Sequence, residues 1–212
     1  MEIIDLTMPL DEETQTHPTH PSVEIKPFLT HGNDGFNVLQ FTSLCTHTGT
    51  HVDFPSHLVL GGPSALDTSL DIFVGEAVAV SIPKGPGEVV TPEELPEANI
   101  RQGDILLVSM GWEKALAEKR FFDNAPGFSV NCAKFLIDKG VKCIATDSPS
   151  IDPLNGSPPL FHFAVLEAGL GVVEGLVNLD KVVGKRFLFS ALPLKITGGD
   201  GSPVRAVAMF LE

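Results

Sequence analysis

His47-Thr48-Gly49-Thr50-His51-Val52-Asp53-Phe54-Pro55-Ser56-His57 gathers three of the seven histidines of this chain, with an aspartate, into one short segment. His47, His51, Asp53 and His57 all carry odd numbers, so a strand would present them on one face. A straight strand rises about 3.3 Å per residue, which would set His47 and His57 roughly 33 Å apart. If the four side chains act together, the segment curls. Gly49 allows unusual φ values and Pro55 interrupts ladder pairing, so both stand where a curl is expected. A helix would also align His47 with His51. Gly49, Thr50 and Val52 are poor helix formers, however, and Pro55 would break a helix. The preferred reading is a strand end that runs into a loop.

Outward from this segment, short β-branched runs alternate with short helical patterns. Strands are expected at Ile3 to Leu6, Val23 to Phe28, Val38 to Cys45, Glu76 to Ile82, Ile105 to Ser109, Cys143 to Thr146, Val172 to Glu174, Phe187 to Ala191 and Val204 to Phe210. The second and third form an antiparallel hairpin around Gly32-Asn33-Asp34-Gly35. Thr14 to Ser22, with Pro18 and Pro21, reads as an extended loop. Thr91-Pro92-Glu93-Glu94 is a helix-start signature. Trp112 to Lys119 reads as helical. A helix capped by Ser129 ends near Lys139 with Gly140 beyond it, and another covers Leu160 to Ala168 and stops at Gly169. The order is not a clean β-α alternation. It implies one α/β domain over residues 1–212, a mixed sheet with a barrel-like β core flanked by a few helices.

Composition limits the function. With 212 residues, 43% apolar and 19% charged, the chain has ample material for a core. A net charge of −13 disfavours nucleic acid and anionic membrane surfaces as partners. No uninterrupted apolar stretch is long enough to span a bilayer, and no signal peptide is evident. Cys45, Cys132 and Cys143 are odd in number and unpaired in spacing, as expected of reduced thiols in a cytoplasmic protein.

Histidine and aspartate in this density are ligand types that divalent transition metals prefer. Other candidates stay open on the residues alone. His162, in Leu160-Phe161-His162-Phe163, reads more readily as a core or interface histidine than as a ligand. Glu174 ends an apolar strand. If buried it needs a cation, a metal or several donors; if exposed it needs none. His17 and His20 either line a pocket or are idle. Asp147 and Asp152 could orient ligating histidines or cap loops. Asp200-Gly201 reads as a tight turn. Phe121, Phe122, Phe128 and Phe135 read as core or subunit interface, and Trp112 as packing.

His47-x-Gly49-Thr50-His51-x-Asp53-x-Pro55-x-His57 resembles the signature of the metal-dependent cyclase-like hydrolases, a family that includes bacterial kynurenine formamidase and isatin hydrolase. Asp5-Leu6-Thr7, the loop from Asp147 to Asp152, the pair His162 and Glu174, and Gly199-Asp200-Gly201-Ser202-Pro203-Val204-Arg205-Ala206 resemble further family segments in the same order. The resemblance implies a cyclase-like fold of the swivelling β/β/α type, assembled as a homodimer or homotetramer. It implies a first zinc on His47, His51 and Asp53, and a second on His162, with Asp53 and Glu174 bridging. His57 would be the catalytic acid/base. The implied activity is hydrolysis of a small amide of the N-formylkynurenine type, at a C–N bond that is not a peptide bond. Alternatives are a lactam-opening enzyme with one Mn2+, or a non-catalytic metal-binding protein of the same fold. His57, which no structural site needs, argues against the last. The sequence departs from formamidases where their substrate-contacting Trp stands, here His17-Pro18-Thr19-His20, and at Phe54, commonly a small residue. His17 and Phe54 are therefore the expected substrate contacts.

Overall fold

β-Branched and aromatic runs supply most of the ordered elements of this computed structural model, which describes residues 1–96 and 99–211. The strands are β1 Glu2–Asp5, β2 Glu24–Leu29, β3 Val38–Ser43, β4 His51–Asp53, β5 Val74–Ser81, β6 Val89–Val90, β7 Ile105–Ser109, β8 Gly127–Phe128, β9 Cys143–Thr146, β10 Gly171–Glu174, β11 Arg186–Ser190, β12 Gly201–Pro203 and β13 Val207–Phe210. The helices are α1 His31–Asp34, α2 Lys114–Ala117, α3 Asn131–Lys139 and α4 Leu160–Glu167.

Nine strands form one curled, mixed sheet in the order β1-β13-β11-β5-β7-β9-β10-β4-β12. The centre, β5-β7-β9-β10, is parallel, and both flanks are antiparallel. β7 sits in the parallel centre, and its run Ile105-Leu106-Leu107-Val108 is buried on both faces. Ile105 and Leu107 face a core with Leu6, Val52, Phe54, Ala77, Ala79, Ala145, Val173, Phe189 and Ala208. Alanines at four of these positions leave room for the sheet to wrap around that core. Leu106 and Val108 face the opposite core, where Leu136 of α3 and Phe161 and Val165 of α4 cover the sheet.

Several expected elements change their bounds. The strand expected over Val204 to Phe210 starts only at Val207, as β13, because Val204 N–H turns away to bond Thr50 C=O (3.0 Å); β12 precedes it. The helix expected over Trp112 to Lys119 shrinks to α2. The backbone N–H groups of Met110 and Trp112 donate to the Asp147 carboxylate (2.7 and 3.0 Å), which fixes a turn ahead of it. α3 starts after Val130 rather than on a Ser129 cap, and Gly140 closes it in the left-handed conformation. The Thr91 signature makes only a short 3₁₀ turn, Pro92–Glu94, which ends at an extended Leu95. β2 and β3 pair as the expected antiparallel hairpin, apart from the main sheet. Among the described residues no helix is long and apolar enough to cross a membrane.

The histidine segment curls as its length demands. Turn residues precede β4, and Pro55–His57 is a 3₁₀ turn after it. Gly49 holds φ +66° at the bend, and its carbonyl accepts the His51 Nδ1 hydrogen (3.0 Å). An L side chain at this φ costs about 1–2 kcal/mol. Gly49→Ala is therefore expected to lower the thermal midpoint by roughly 2–8 °C, and Gly49→Asn by less, since Asn tolerates the left-handed region. A scan in which alanine is neutral would show that this bend is not what holds the segment.

Candidate metal centre

β4 lies between β10 and β12, with His51 opposite Glu174 and Asp53 opposite both Val172 and Gly201. Strand alternation turns Val52 into the apolar core and leaves His51 and Asp53 on the other face. The cross-strand register thus delivers Glu174 beside His51. His162 arrives on the first turn of α4. That turn is held by Asp152, whose carboxylate accepts the N–H groups of Phe161 (3.0 Å) and His162 (2.8 Å). The same carboxylate accepts His162 Nδ1–H (2.9 Å). Asp152 therefore both caps the helix and orients the histidine, whereas Asp147 caps a turn and touches none.

Asp53 is 1% exposed, and its two oxygens face different partners. Oδ1 accepts from His47 Nδ1 (2.7 Å) and lies 3.4 Å from His51 Nε2. Oδ2 lies 3.1 Å from His162 Nε2. Glu174 is divided in the same way, with Oε2 3.3 Å from His51 Nε2 and Oε1 3.0 Å from His162 Nε2. Glu174 Oε1 also accepts the Ile151 N–H (2.7 Å). His51 and His162 both commit Nδ1 to an outer acceptor and turn Nε2 inward, the arrangement that orients metal-binding imidazoles.

Three sets of potential ligand atoms lie close enough to share an ion: His47, His51 and Asp53; Asp53, His162 and Glu174; and His47, His57 and Asp200. His47 Nε2 is buried without a hydrogen-bond partner. Imidazole nitrogens and carboxylate oxygens, one nitrogen unpartnered, fit a divalent transition metal such as zinc or manganese.

The charges are strongly coupled. Burial pulls the His51 imidazole down, but the Asp53 and Glu174 carboxylates outweigh it and push it up to about 9. Burial likewise opposes His162, and Glu174, Asp152 and Asp53 hold it well above the usual histidine range. Burial raises Asp53 and Glu174, yet the surrounding imidazoles keep both below the ordinary carboxylate range. His57, with its side chain 29% exposed, goes the other way: burial keeps it below the usual value.

These groups form the floor of a cavity of about 230 Å3. His17, His20, Leu58, Phe122, Ser150, Leu154 and Pro159 form its wall. The structure brings His17, His47, His51, Asp53, His57, His162 and Glu174 to this one cavity. Phe54 is a correction. It shares the parity of Val52, is 1% exposed, and packs edge-on against Phe73 (ring centroids 5.8 Å) in the core, so it meets no substrate in the cavity. Phe122, expected in the core or an interface, packs against the core cluster around Trp112 and Phe121 and also lines the cavity wall. Asp200, read as a turn residue, lies 3.3 Å from His47 Nε2 and 3.8 Å from His57 Nδ1. Its only signal in the sequence is its place in the Gly199 to Ala206 segment.

Comparison with known proteins agrees with this architecture. Kynurenine formamidase of Salinibacter ruber (strain DSM 13855 / M31) is 34% identical over 208 residues, covering 98% of this chain and 97% of that protein. That of Bacillus mycoides (strain KBAB4) is 31% identical over 204 residues, 96% and 95% of the two chains. Among solved structures, an isatin hydrolase bound to the product analogue thioisatinate superposes with a TM-score of 0.86 at 25% identity, covering 100% of this chain and 93% of that one. A potential metal-dependent hydrolase with cyclase activity superposes with a TM-score of 0.79 at 25% identity, covering 98% and 96%. The profile of the family described as putative cyclase matches residues 4–153, and with full-length relatives at this identity the chain belongs to that family.

Proposed function

We propose that this protein is a metal-dependent amidohydrolase of small arylformamide-like substrates, of the N-formylkynurenine type, using two zinc ions. The observation that carries the reading is the division of Asp53, with Oδ1 toward His47 and His51 and Oδ2 toward His162. One carboxylate shared between two ligand sets suits a bridge between two ions. His47, His51 and Asp53 would hold the first, and Asp53, His162 and Glu174 the second. When bound, divalent ions acidify water and polarise a scissile carbonyl.

The remaining work falls to the side chains of the chain itself. His57 lines the cavity, and burial holds its imidazole below the usual histidine range. It would take a proton from the attacking water and return it to the leaving nitrogen, two tasks that suit an imidazole. His17 and Phe122, with ring centroids 5.8 Å apart and edge to face, offer aromatic contacts to a planar substrate. The isatin hydrolase likeness favours a second reading, lactam opening with one Mn2+. The exposed Phe28, Phe36, Leu39 and Phe41 in and beside the β2–β3 hairpin fit burial in a homodimer or homotetramer. The three free thiols fit a reducing, cytoplasmic setting.

Elemental mass spectrometry of protein purified without added metal is expected to find two zinc ions per chain, with arylformamide hydrolysis lost on chelation. One ion per chain, or manganese, would select the lactam reading; no metal after reconstitution would end the proposal. His57→Ala is expected to lower turnover by at least about 10²-fold with metal content unchanged, while Asp53→Asn lowers both. Because His51 titrates near 9 in the metal-free chain, an entering ion displaces its proton. Zinc affinity, read by chelator competition, should therefore rise from about pH 6 to about pH 8 with protons released on binding. A flat profile would remove His51 from the ligand set.

A further inference from the structure

Asp200 belongs to no element of the histidine segment, yet two contacts of its own and one of its neighbour tie it there. Its carbonyl accepts the Phe54 N–H (2.9 Å), at the point where β4 turns into the Pro55–His57 bend. Its Oδ1 accepts the Thr46 hydroxyl (2.9 Å). Next to it, Gly201 packs against the His47 ring so closely that a Cβ would stand 2.6 Å from Cε1. These contacts hold the carboxylate with Oδ2 within 4 Å of two imidazoles whose centroids are 4.1 Å apart. His47 Nε2 is the nearer, at 3.3 Å, but makes no hydrogen bond. His57 Nδ1 is 3.8 Å away, beyond hydrogen-bond length but within ion-pair range. The Asp200 side chain is 45% exposed, so it has room to close that gap. Such contacts commonly tighten only with substrate bound.

We infer that Asp200 is the positioning residue for His57. Its carboxylate takes the Nδ1–H of the imidazole, which leaves Nε2 as the nitrogen that exchanges a proton in the cavity. Thr46 keeps the carboxylate turned toward that edge. The inference rests on His57 as the proton carrier of the proposed hydrolysis. It adds a partner without which the ring could present either nitrogen to the cavity.

The test uses the zinc-loaded full chain. Asp200→Asn should lower kcat for an arylformamide about 10–100-fold, with KM and zinc per chain unchanged. Thr46→Val should give a smaller loss of the same kind, and the double variant should be no worse than Asp200→Asn alone, because both act through one contact. Nitrogen-15 NMR of the histidine side chains gives a readout independent of turnover. The His57 proton should sit on Nδ1 in the native chain and shift toward Nε2 in Asp200→Asn. Unchanged kcat and tautomer would overturn the inference. So would a parallel loss of zinc, which would place the action of Asp200 on His47. If the native chain hydrolyses no arylformamide, the hydrolase reading fails while the NMR arm still decides the role of Asp200.

Discussion

The burial of one carboxylate governs the arrangement around it. A charge as enclosed as Asp53 is strongly unfavourable unless opposite charge and hydrogen-bond donors surround it. Here three imidazoles do so, from the turn before β4, from β4 itself and from α4. Displacing any of these elements would remove one of the partners that balance this charge. The β10 register and the Asp152 cap both follow from this, since one brings Glu174 beside His51 and the other aims His162 at the same point.

The curled sheet makes this convergence geometrically available. A flat sheet would keep His47 and His57 far apart, whereas the Gly49 bend and the Pro55 turn fold the segment so that their rings nearly touch. The apolar side of the same sheet carries alanines on β5, β9 and β13. Core packing and cavity formation are therefore two faces of one deformation. Substitutions that bulk up the inner alanines would act on the cavity through the backbone.

Much of this was legible in the residues, and the misses have physical causes. Parity and strand rise together required the curl at residues 47–57 and placed four ligand-type side chains on one face. The same parity rule excludes Phe54 from that face, because position 54 shares the parity of the core residue Val52; the substrate role implied for it follows a family position instead of the local geometry. Asp200 escaped because Asp-Gly is ordinarily a turn, and its partners lie some 150 residues away in sequence. His162 and Glu174 meet Asp53 only through long-range pairing that no local pattern encodes. The resemblance to a family, not periodicity, implies their role as ligands. The helix expected at Trp112 is confined to Lys114–Ala117 because Asp147, distant in sequence, holds the Trp112 N–H in the turn ahead of it, and Lys119 takes a positive φ just beyond it.

The cavity is built from two sources that share little sequence. Its floor comes from paired strands and a capped helix. Its wall comes from the loop carrying His17 and His20, from Phe122, and from the stretch around Leu154 and Pro159. Mutations in the wall need not disturb the buried charges, and mutations in the floor cannot avoid them. A lineage can thus retune what it accepts by drifting in loops while the reactive apparatus stays frozen, so two proteins with identical floors need have no substrate in common.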